Sequence, residues 1–123
     1  MNIQSLFIGV LLGGASMNAG AQAMDGKALF AKNCAACHQA NGKGIPGAFP
    51  ALAGNALVQG APAEVTTVLL KGRGGMPDFS ASLSDADIAQ VLTYARASWG
   101  NKAGAVPDTE VATLRATLQA AQA

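Results

Sequence analysis

The sequence predicts an all-α domain of about four helices. Apolar residues recur at helical spacing in four separate stretches, whereas no alternating run rich in Val and Ile marks a strand. Five consecutive residues also hold every cysteine and histidine of the chain, which indicates that a bound group organises the domain. At 123 residues the chain has the length of one domain.

The first 23 residues are predicted to be a secretory signal peptide. Residues 1–23 contain no charged side chain, and their apolar run at 6–12 is too short to cross a bilayer. They end in Ala-Gln-Ala, which is typical of a signal cleavage site. We therefore expect an exported, periplasmic domain over residues 24–123. Because no Lys or Arg precedes the apolar run, a retained N-terminal anchor stays the alternative.

The charge of the predicted domain argues against nucleic acid as a partner. The eight basic and seven acidic side chains all follow residue 23 and leave a net charge of +1. No basic stripe is therefore available to neutralise phosphates.

The first helix is predicted over residues 24–38, where Asp25 can cap the N-terminus. No helical or strand period holds from residue 39 to 60, and glycine or proline recurs there seven times. An irregular segment that long is uncommon in a compact domain. It becomes understandable if a bound group supplies the core that side chains do not.

Two further helices have clear termini. The second begins at Pro62 and ends before Gly72, since proline suits a first turn and glycine a helix end. The third lies within residues 83–101 and opens with a capping box formed by Ser84 and Asp87.

The cysteines and the histidine form the stretch Cys34-Ala35-Ala36-Cys37-His38. A redox or structural disulfide of the thioredoxin type would require alternating strands and helices, and a zinc site would require a fourth ligand. C-x-x-C-H is the attachment motif for a c-type haem. Two thiols on one helical turn reach the two vinyl groups of a porphyrin, and the adjacent imidazole binds iron. We interpret the motif as the site of one covalently bound haem c.

Met76 is the candidate for the second axial ligand. The chain has no second histidine to pair with His38, and methionine is a common partner in electron-transfer haems. Met1 and Met17 fall in the predicted signal peptide, and Met24 would be the mature N-terminus. Met76 follows glycines that allow the backbone to approach a flat cofactor closely. Met24 stays the alternative.

The C-x-x-C-H motif followed by Met76-Pro77 resembles the class I cytochromes c. The likeness covers residues 25–101, and the phrases NGKGIPGAFPALAG and YARASWGN are most similar to small bacterial cytochrome c domains. Such domains occur alone or as modules in the cytochrome subunits of periplasmic dehydrogenases. The resemblance implies an all-α fold of about four helices wrapped around one haem, with Cys34 and Cys37 as anchors and His38 and Met76 as axial ligands.

The resemblance implies further contacts to the haem. Pro50-Ala51-Leu52 fits the P-x-L of the family, so the Pro50 carbonyl is expected to accept a hydrogen bond from Nδ1 of His38. Leu52 is expected to rest on the haem. Arg73 and Trp99 are candidate donors to the propionates, with surface exposure as the alternative.

A fourth helix, over residues 108–123, lies beyond the minimal cytochrome fold. Val111, Leu114 and Leu118 give it a narrow apolar stripe. We expect it to pack back on the domain, and docking onto a partner subunit is the alternative.

The implied function is outer-sphere electron transfer rather than catalysis. One haem c would cycle between Fe(III) and Fe(II), taking electrons from a dehydrogenase and passing them to an oxidase or another cytochrome. The alternative is a tightly bound subunit of a periplasmic dehydrogenase or oxidase complex. A peroxidase is disfavoured because the sequence offers no distal His and Arg pair. The lysines form no ring, so strong electrostatic steering toward an acidic partner is not expected. No stable membrane insertion is expected after signal cleavage.

Overall fold

Helices account for all the regular secondary structure in residues 13–14 and 25–123, the part of the chain that the computed structural model describes. No strand occurs there, and the only β pairing consists of two isolated bridges, Ile45 with Phe49 and Arg73 with Met76. The all-α prediction is confirmed. The six helices of this part are α1 (Gly26–Asn33), α2 (Ala35–His38), α3 (Ala56–Gln59), α4 (Pro62–Lys71), α5 (Asp85–Arg96) and α6 (Asp108–Ala121).

The predicted signal peptide falls outside the described residues, apart from Gly13 and Gly14. Within the described ranges, every helix is too short or too polar to cross a bilayer.

The first predicted helix is divided in two at Cys34. Asp25 caps α1 by accepting a hydrogen bond from the Lys27 N–H at 2.8 Å, as predicted. The backbone leaves helical geometry at Cys34, where φ is −124°, and α2 then makes one further turn that ends at His38. Apolar spacing cannot reveal a break of one residue, because the side chains before and after it keep nearly the same period.

The short helix α3 was missed by the sequence analysis. It occupies four residues of the glycine-rich segment, fewer than any periodic pattern can register. Asn55 holds its start, since its side-chain oxygen accepts hydrogen bonds from the N–H groups of Leu57 and Val58 at 2.9 and 3.1 Å. Asn55, a residue type that favours the cap position, was the one signal in the sequence for the start of α3.

Helices α1 and α5 cross in close contact. A Cβ atom at Gly26 would lie 2.3 Å from the Gln90 carbonyl oxygen, so only glycine allows this approach. Beside the crossing, the Phe30 ring lies 5.7 Å from that of Tyr94 and 4.9 Å from that of Trp99. This aromatic cluster fastens the helix that leads into the C-x-x-C-H motif onto α5.

Helix α5 starts as predicted and ends earlier. Both hydrogen bonds of the capping box between Ser84 and Asp87 are present. The helix stops at Arg96 rather than continuing toward residue 101, because Trp99 has a φ of 54°, which a right-handed helix excludes.

Helix α6 packs back on the domain against α4 and α5. Val111 is fully buried, and Leu114 and Leu118 are partly buried against the same hydrophobic core.

Thr66 in α4 provides a test of the packing. Its side chain is fully buried, and its hydroxyl has no hydrogen-bond partner within the described ranges. Thr66→Val should raise the free energy of unfolding by about 1 kcal/mol, because valine keeps the shape and removes the unpaired polar group. Thermal unfolding of the haem-loaded protein measures the effect.

Thr67→Val is the matched control, because the Thr67 hydroxyl donates to the Ala63 carbonyl at 2.6 Å. It should leave the melting temperature unchanged or lower it. A Thr66 variant that loses more stability than the Thr67 variant would contradict the prediction.

Candidate haem site

A cavity of about 500 Å³ lies between the helices, the loop that follows α2 and the loop that follows α4. All six site residues predicted from the sequence line it: Cys34, Cys37, His38, Pro50, Leu52 and Met76. The remaining wall is mostly apolar, and its hydrophobic side chains include Phe30, Leu57, Val58, Val65, Val68, Leu69, Phe79, Val91, Leu92 and Ala95. An apolar space of this kind suits a flat, apolar cofactor.

The two thiols lie on one turn of chain at the cavity wall. Cys34 and Cys37 are both partly exposed and are not bonded to each other. Burial, and after it the neighbouring Cys37, raises the pKa of the Cys34 thiol to about 11. Thiol–disulfide exchange needs a thiolate near neutral pH, so the environment of Cys34 is unsuited to a redox-active disulfide.

His38 is held by the loop that follows it. Its side chain is buried, and Nδ1 lies 2.9 Å from the Pro50 carbonyl oxygen. A carbonyl can only accept, so Nδ1 carries the proton and Nε2 of the neutral imidazole keeps a free lone pair. That tautomer is the one a metal-binding histidine requires.

Gly44 allows the loop to bring the Pro50 carbonyl to the imidazole. The Gly44 N–H donates to the His38 carbonyl at 2.8 Å, which folds the loop back over α2. A Cβ atom at Gly44 would lie 2.6 Å from the Pro50 carbonyl oxygen, and φ at this position is 60°. Any other residue would push the carbonyl away from its place.

Asn101 ties the same loop to α5, a role that no pattern in the sequence predicts. The side chain is 3% exposed. Its oxygen accepts from the Gly54 N–H at 2.8 Å, and its amide nitrogen donates to the carbonyls of Leu52 and Ala95 at 3.0 and 2.9 Å. All three partners are backbone groups, so no pairing of residue types in the sequence could have indicated them.

Met76 sits in a tight turn directly after α4. Its N–H donates to the Arg73 carbonyl at 2.9 Å, and the Arg73 N–H donates back to the Met76 carbonyl at 3.2 Å. Gly72, with a φ of 73°, ends α4 and leaves room for the Met76 carbonyl, which would lie 2.7 Å from a Cβ atom there. The alternative ligand, Met24, lies outside the described residues.

Only one of the two candidate propionate donors lies at the cavity. Arg73 is exposed and contributes to the cavity wall. The Trp99 indole N–H instead donates to the Ala40 carbonyl at 3.0 Å, and its ring belongs to the aromatic cluster on Phe30. The expectation for Trp99 is therefore wrong, because its one donor is already bonded.

Within the part of the chain that the structure describes, no other arrangement of metal-binding side chains competes with this cavity. In the described ranges, no group of three or more His, Cys, Asp or Glu residues is close enough to hold a metal ion. Two thiols on one helical turn, a buried imidazole with a free Nε2, a thioether and apolar walls fit a covalently bound haem. The fold and the site define the class of c-type haem proteins.

Comparison with known proteins supports the same class. Residues 21–94 match the family model described as "Cytochrome C oxidase, cbb3-type, subunit III". Cytochrome c-552 of Thermus thermophilus is 38% identical over 114 residues, which cover 80% of this chain and 73% of that protein. Cytochrome c6 of Microcystis aeruginosa is 37% identical over 73 residues, which cover 57% of this chain and 89% of that protein.

A third relative is much longer than this chain. The cytochrome c subunit of alcohol dehydrogenase (quinone) from Komagataeibacter europaeus is 38% identical over 105 residues. The match covers 75% of this chain and only 22% of that subunit. The chain belongs to the cytochrome c family and is class I-like, and its cofactor is haem c, for which Cys34 and Cys37 supply the attachment motif.

Asn101→Ala is expected to lower the free energy of unfolding of the haem-loaded protein by about 2–4 kcal/mol, since it leaves buried backbone groups without partners. The loop that carries the Pro50 carbonyl should loosen, and the reduction potential should shift because the imidazole loses its fixed partner. Denaturant unfolding and a redox titration measure the two effects.

Asn41→Ala is the control, because Asn41 lies in the same loop and its side-chain oxygen accepts from the exposed Lys43 N–H at 3.0 Å. We expect Asn41→Ala to lower the free energy of unfolding by less than about 1 kcal/mol and to leave the reduction potential unchanged. Equal effects of the two substitutions would show that Asn101 has no particular role.

Proposed function

We propose that this chain is a periplasmic electron carrier in which His38 and Met76 are the axial ligands of one haem c. The observation that supports the proposal most directly is that both side chains line the cavity at which the two cysteines lie. The hydrogen bond from Nδ1 of His38 to Pro50 supports it further, since this bond leaves Nε2 free to bind iron. The predicted export signal supports the periplasmic location.

The bound haem supplies a one-electron couple, Fe(III)/Fe(II). The chain's own residues decide how that couple is used. Cys34 and Cys37 would hold the porphyrin through thioethers, and Leu52, Val68 and their apolar neighbours in the cavity wall would exclude water from it. With His38 and Met76 both as ligands, no position on the iron would be open for a substrate, so the proposed role is that of an electron carrier rather than an enzyme.

The ligand pair also determines whether the reduction potential lies above or below that of a bis-imidazole haem. A methionine thioether is neutral and a weaker electron donor than a second imidazole, and the apolar wall disfavours the extra charge of Fe(III). Both effects favour the ferrous state, so the potential should lie above that of a bis-imidazole haem.

A second candidate is a tightly bound subunit of a periplasmic dehydrogenase or oxidase complex. The match to the cytochrome c subunit of a quinone alcohol dehydrogenase favours it. In either case the donor would be a dehydrogenase, and the acceptor an oxidase or another cytochrome. With a net charge of +1 and scattered lysines, contact area rather than long-range attraction would select the partner.

The ligand assignment is tested by Met76→Ala. The weak far-red sulfur-to-iron band of the ferric protein should disappear, and added imidazole or cyanide should bind. The potential should fall on the order of 200 mV, which for one electron is roughly 4.6 kcal/mol at about 59 mV per tenfold change. A methionine that does not bind iron could not cause this, because replacing it changes no charge.

Met24→Ala is the matched control, since it removes the alternative sulfur ligand. It should leave both the band and the potential as they are. The assignment fails if Met76→Ala retains the band while Met24→Ala loses it.

The two candidate functions are separated by size-exclusion chromatography of the tagged chain from its own cells. A free carrier should elute as a monomer at low and high ionic strength. A subunit should co-elute with a large flavin- or quinone-linked protein even at about 1 M salt, where exposed charge pairs are screened within about 3 Å. Co-elution under those conditions would replace the carrier by the subunit.

A further inference from the structure

Arg115 connects the C-terminal helix to the start of α5 and to the segment before it. Its Nε donates to the Asp85 Oδ1 at 2.7 Å, and its Nη2 donates to the Leu83 carbonyl at 2.9 Å. Its Nη1 donates to the Ser80 carbonyl. The side chain is only 17% exposed, so the three contacts are partly shielded from water.

The two carbonyls belong to segment 77–83, which follows Met76 directly. Backbone bonds hold this segment at one other point, where the Phe79 N–H donates to the Leu69 carbonyl at 2.9 Å. Among the described residues, Arg115 provides the only side chain from outside the segment that hydrogen-bonds to it. Without Arg115 the segment would keep the apolar packing of Phe79 and Leu83 and one hydrogen bond to α4, and it would lose its hydrogen bonds to α6.

The segment forms part of the cavity wall, whereas α6 does not. Pro77 and Phe79 line the cavity next to Met76, and no residue of α6 contributes to the wall. Any influence of α6 on the site must therefore pass through segment 77–83 or through the helices behind it. A shift of the segment would move the Met76 sulfur and open the wall in a single step.

A guanidinium suits this connection better than other side chains. It stays charged at every accessible pH, and its planar fork of N–H groups can bind several acceptors at once. Bonds from a charged donor to carbonyls are stronger than neutral ones, and the Asp85 carboxylate balances the charge.

We propose that Arg115 is a positioning residue, through which the C-terminal helix holds segment 77–83 and keeps the Met76 side chain in the haem cavity. The proposal rests on the proposed ligand role of Met76. It gives α6 a function beyond packing. Helix α6 begins at Asp108, which follows Met76 by 32 residues along the chain.

The test is the affinity of the ferric, haem-loaded protein for imidazole. Imidazole binds only when the Met76 sulfur has left its place, so the apparent affinity scales with the fraction of molecules in that open state. Arg115→Met removes the three hydrogen bonds and keeps most of the apolar stem. We expect imidazole to bind at least about tenfold more tightly, which corresponds to about 1.4 kcal/mol. The far-red band of Arg115→Met should be lost at a lower imidazole concentration than the band of the unaltered protein.

Arg115→Lys is the second variant, in case the methionine variant does not accumulate with haem. Lysine keeps the charge opposite Asp85 but presents a single ammonium instead of the fork. We expect imidazole affinity to rise in it as well, by at least about threefold, or roughly 0.65 kcal/mol.

Leu118→Ala separates positioning from plain stability. Leu118 is partly buried on the core and its side chain makes no hydrogen bond to segment 77–83, so its truncation should lower the melting temperature and leave imidazole affinity unchanged. The proposal is overturned if Arg115→Met keeps the affinity of the unaltered protein, or if Leu118→Ala raises it as much.

Failure of the proposed function would look different. If Met76→Ala leaves imidazole affinity and the far-red band unchanged, Met76 is not the ligand, and the role of Arg115 falls with it. If Met76→Ala removes the band and Arg115→Met changes nothing, only the positioning role is wrong.

Discussion

The hydrogen bond between Nδ1 of His38 and the Pro50 carbonyl is the interaction on which the site depends. It selects the tautomer that leaves Nε2 free, and it requires the loop after α2 to return to the same turn of chain. Gly44 permits that return, because any side chain there would collide with the Pro50 carbonyl. Asn101 then fastens the loop to α5 through three backbone contacts. An irregular segment is thus held in place by polar groups that meet only in the folded state.

Sequence reasoning succeeded where the determinants were local. The capping box of Ser84 and Asp87 and the proline that opens α4 act within one helical turn, so their residue types suffice to predict them. The six predicted site residues line one cavity. They could be named because a covalent haem demands a fixed motif, and because resemblance to the cytochrome family supplied Pro50 and Leu52; their roles toward the haem stay predictions. The full assignment of axial ligands stays a prediction.

Residues with distant partners were not accessible. Asn101 and Arg115 bind backbone carbonyls, and every residue has a carbonyl, so their identities carry no information about where the partner lies. The early end of α5, beyond which Trp99 has a positive φ, was not accessible either. The Ala95 carbonyl near this end accepts a hydrogen bond from the Asn101 side chain, which lies beyond the helix. Arg96 itself is 4% exposed and donates to the carbonyls of Val58 in α3, Gly60 and Gly104.

The two sides of the cavity are secured in different ways. His38 follows Cys37 directly, so a covalent bond to the porphyrin would lie one residue from the imidazole, and α1, which leads into that turn, packs against α5 through Phe30 and Tyr94. Met76 has no such anchor, because it follows two glycines and a turn with only two backbone hydrogen bonds. A segment of this kind has a low local free energy of opening unless something outside it provides contacts. Helix α6 supplies an always-charged guanidinium at the position where the chain after Met76 turns toward α5. A C-terminal helix remote from the cavity can therefore influence the side of the haem that covalent attachment leaves free.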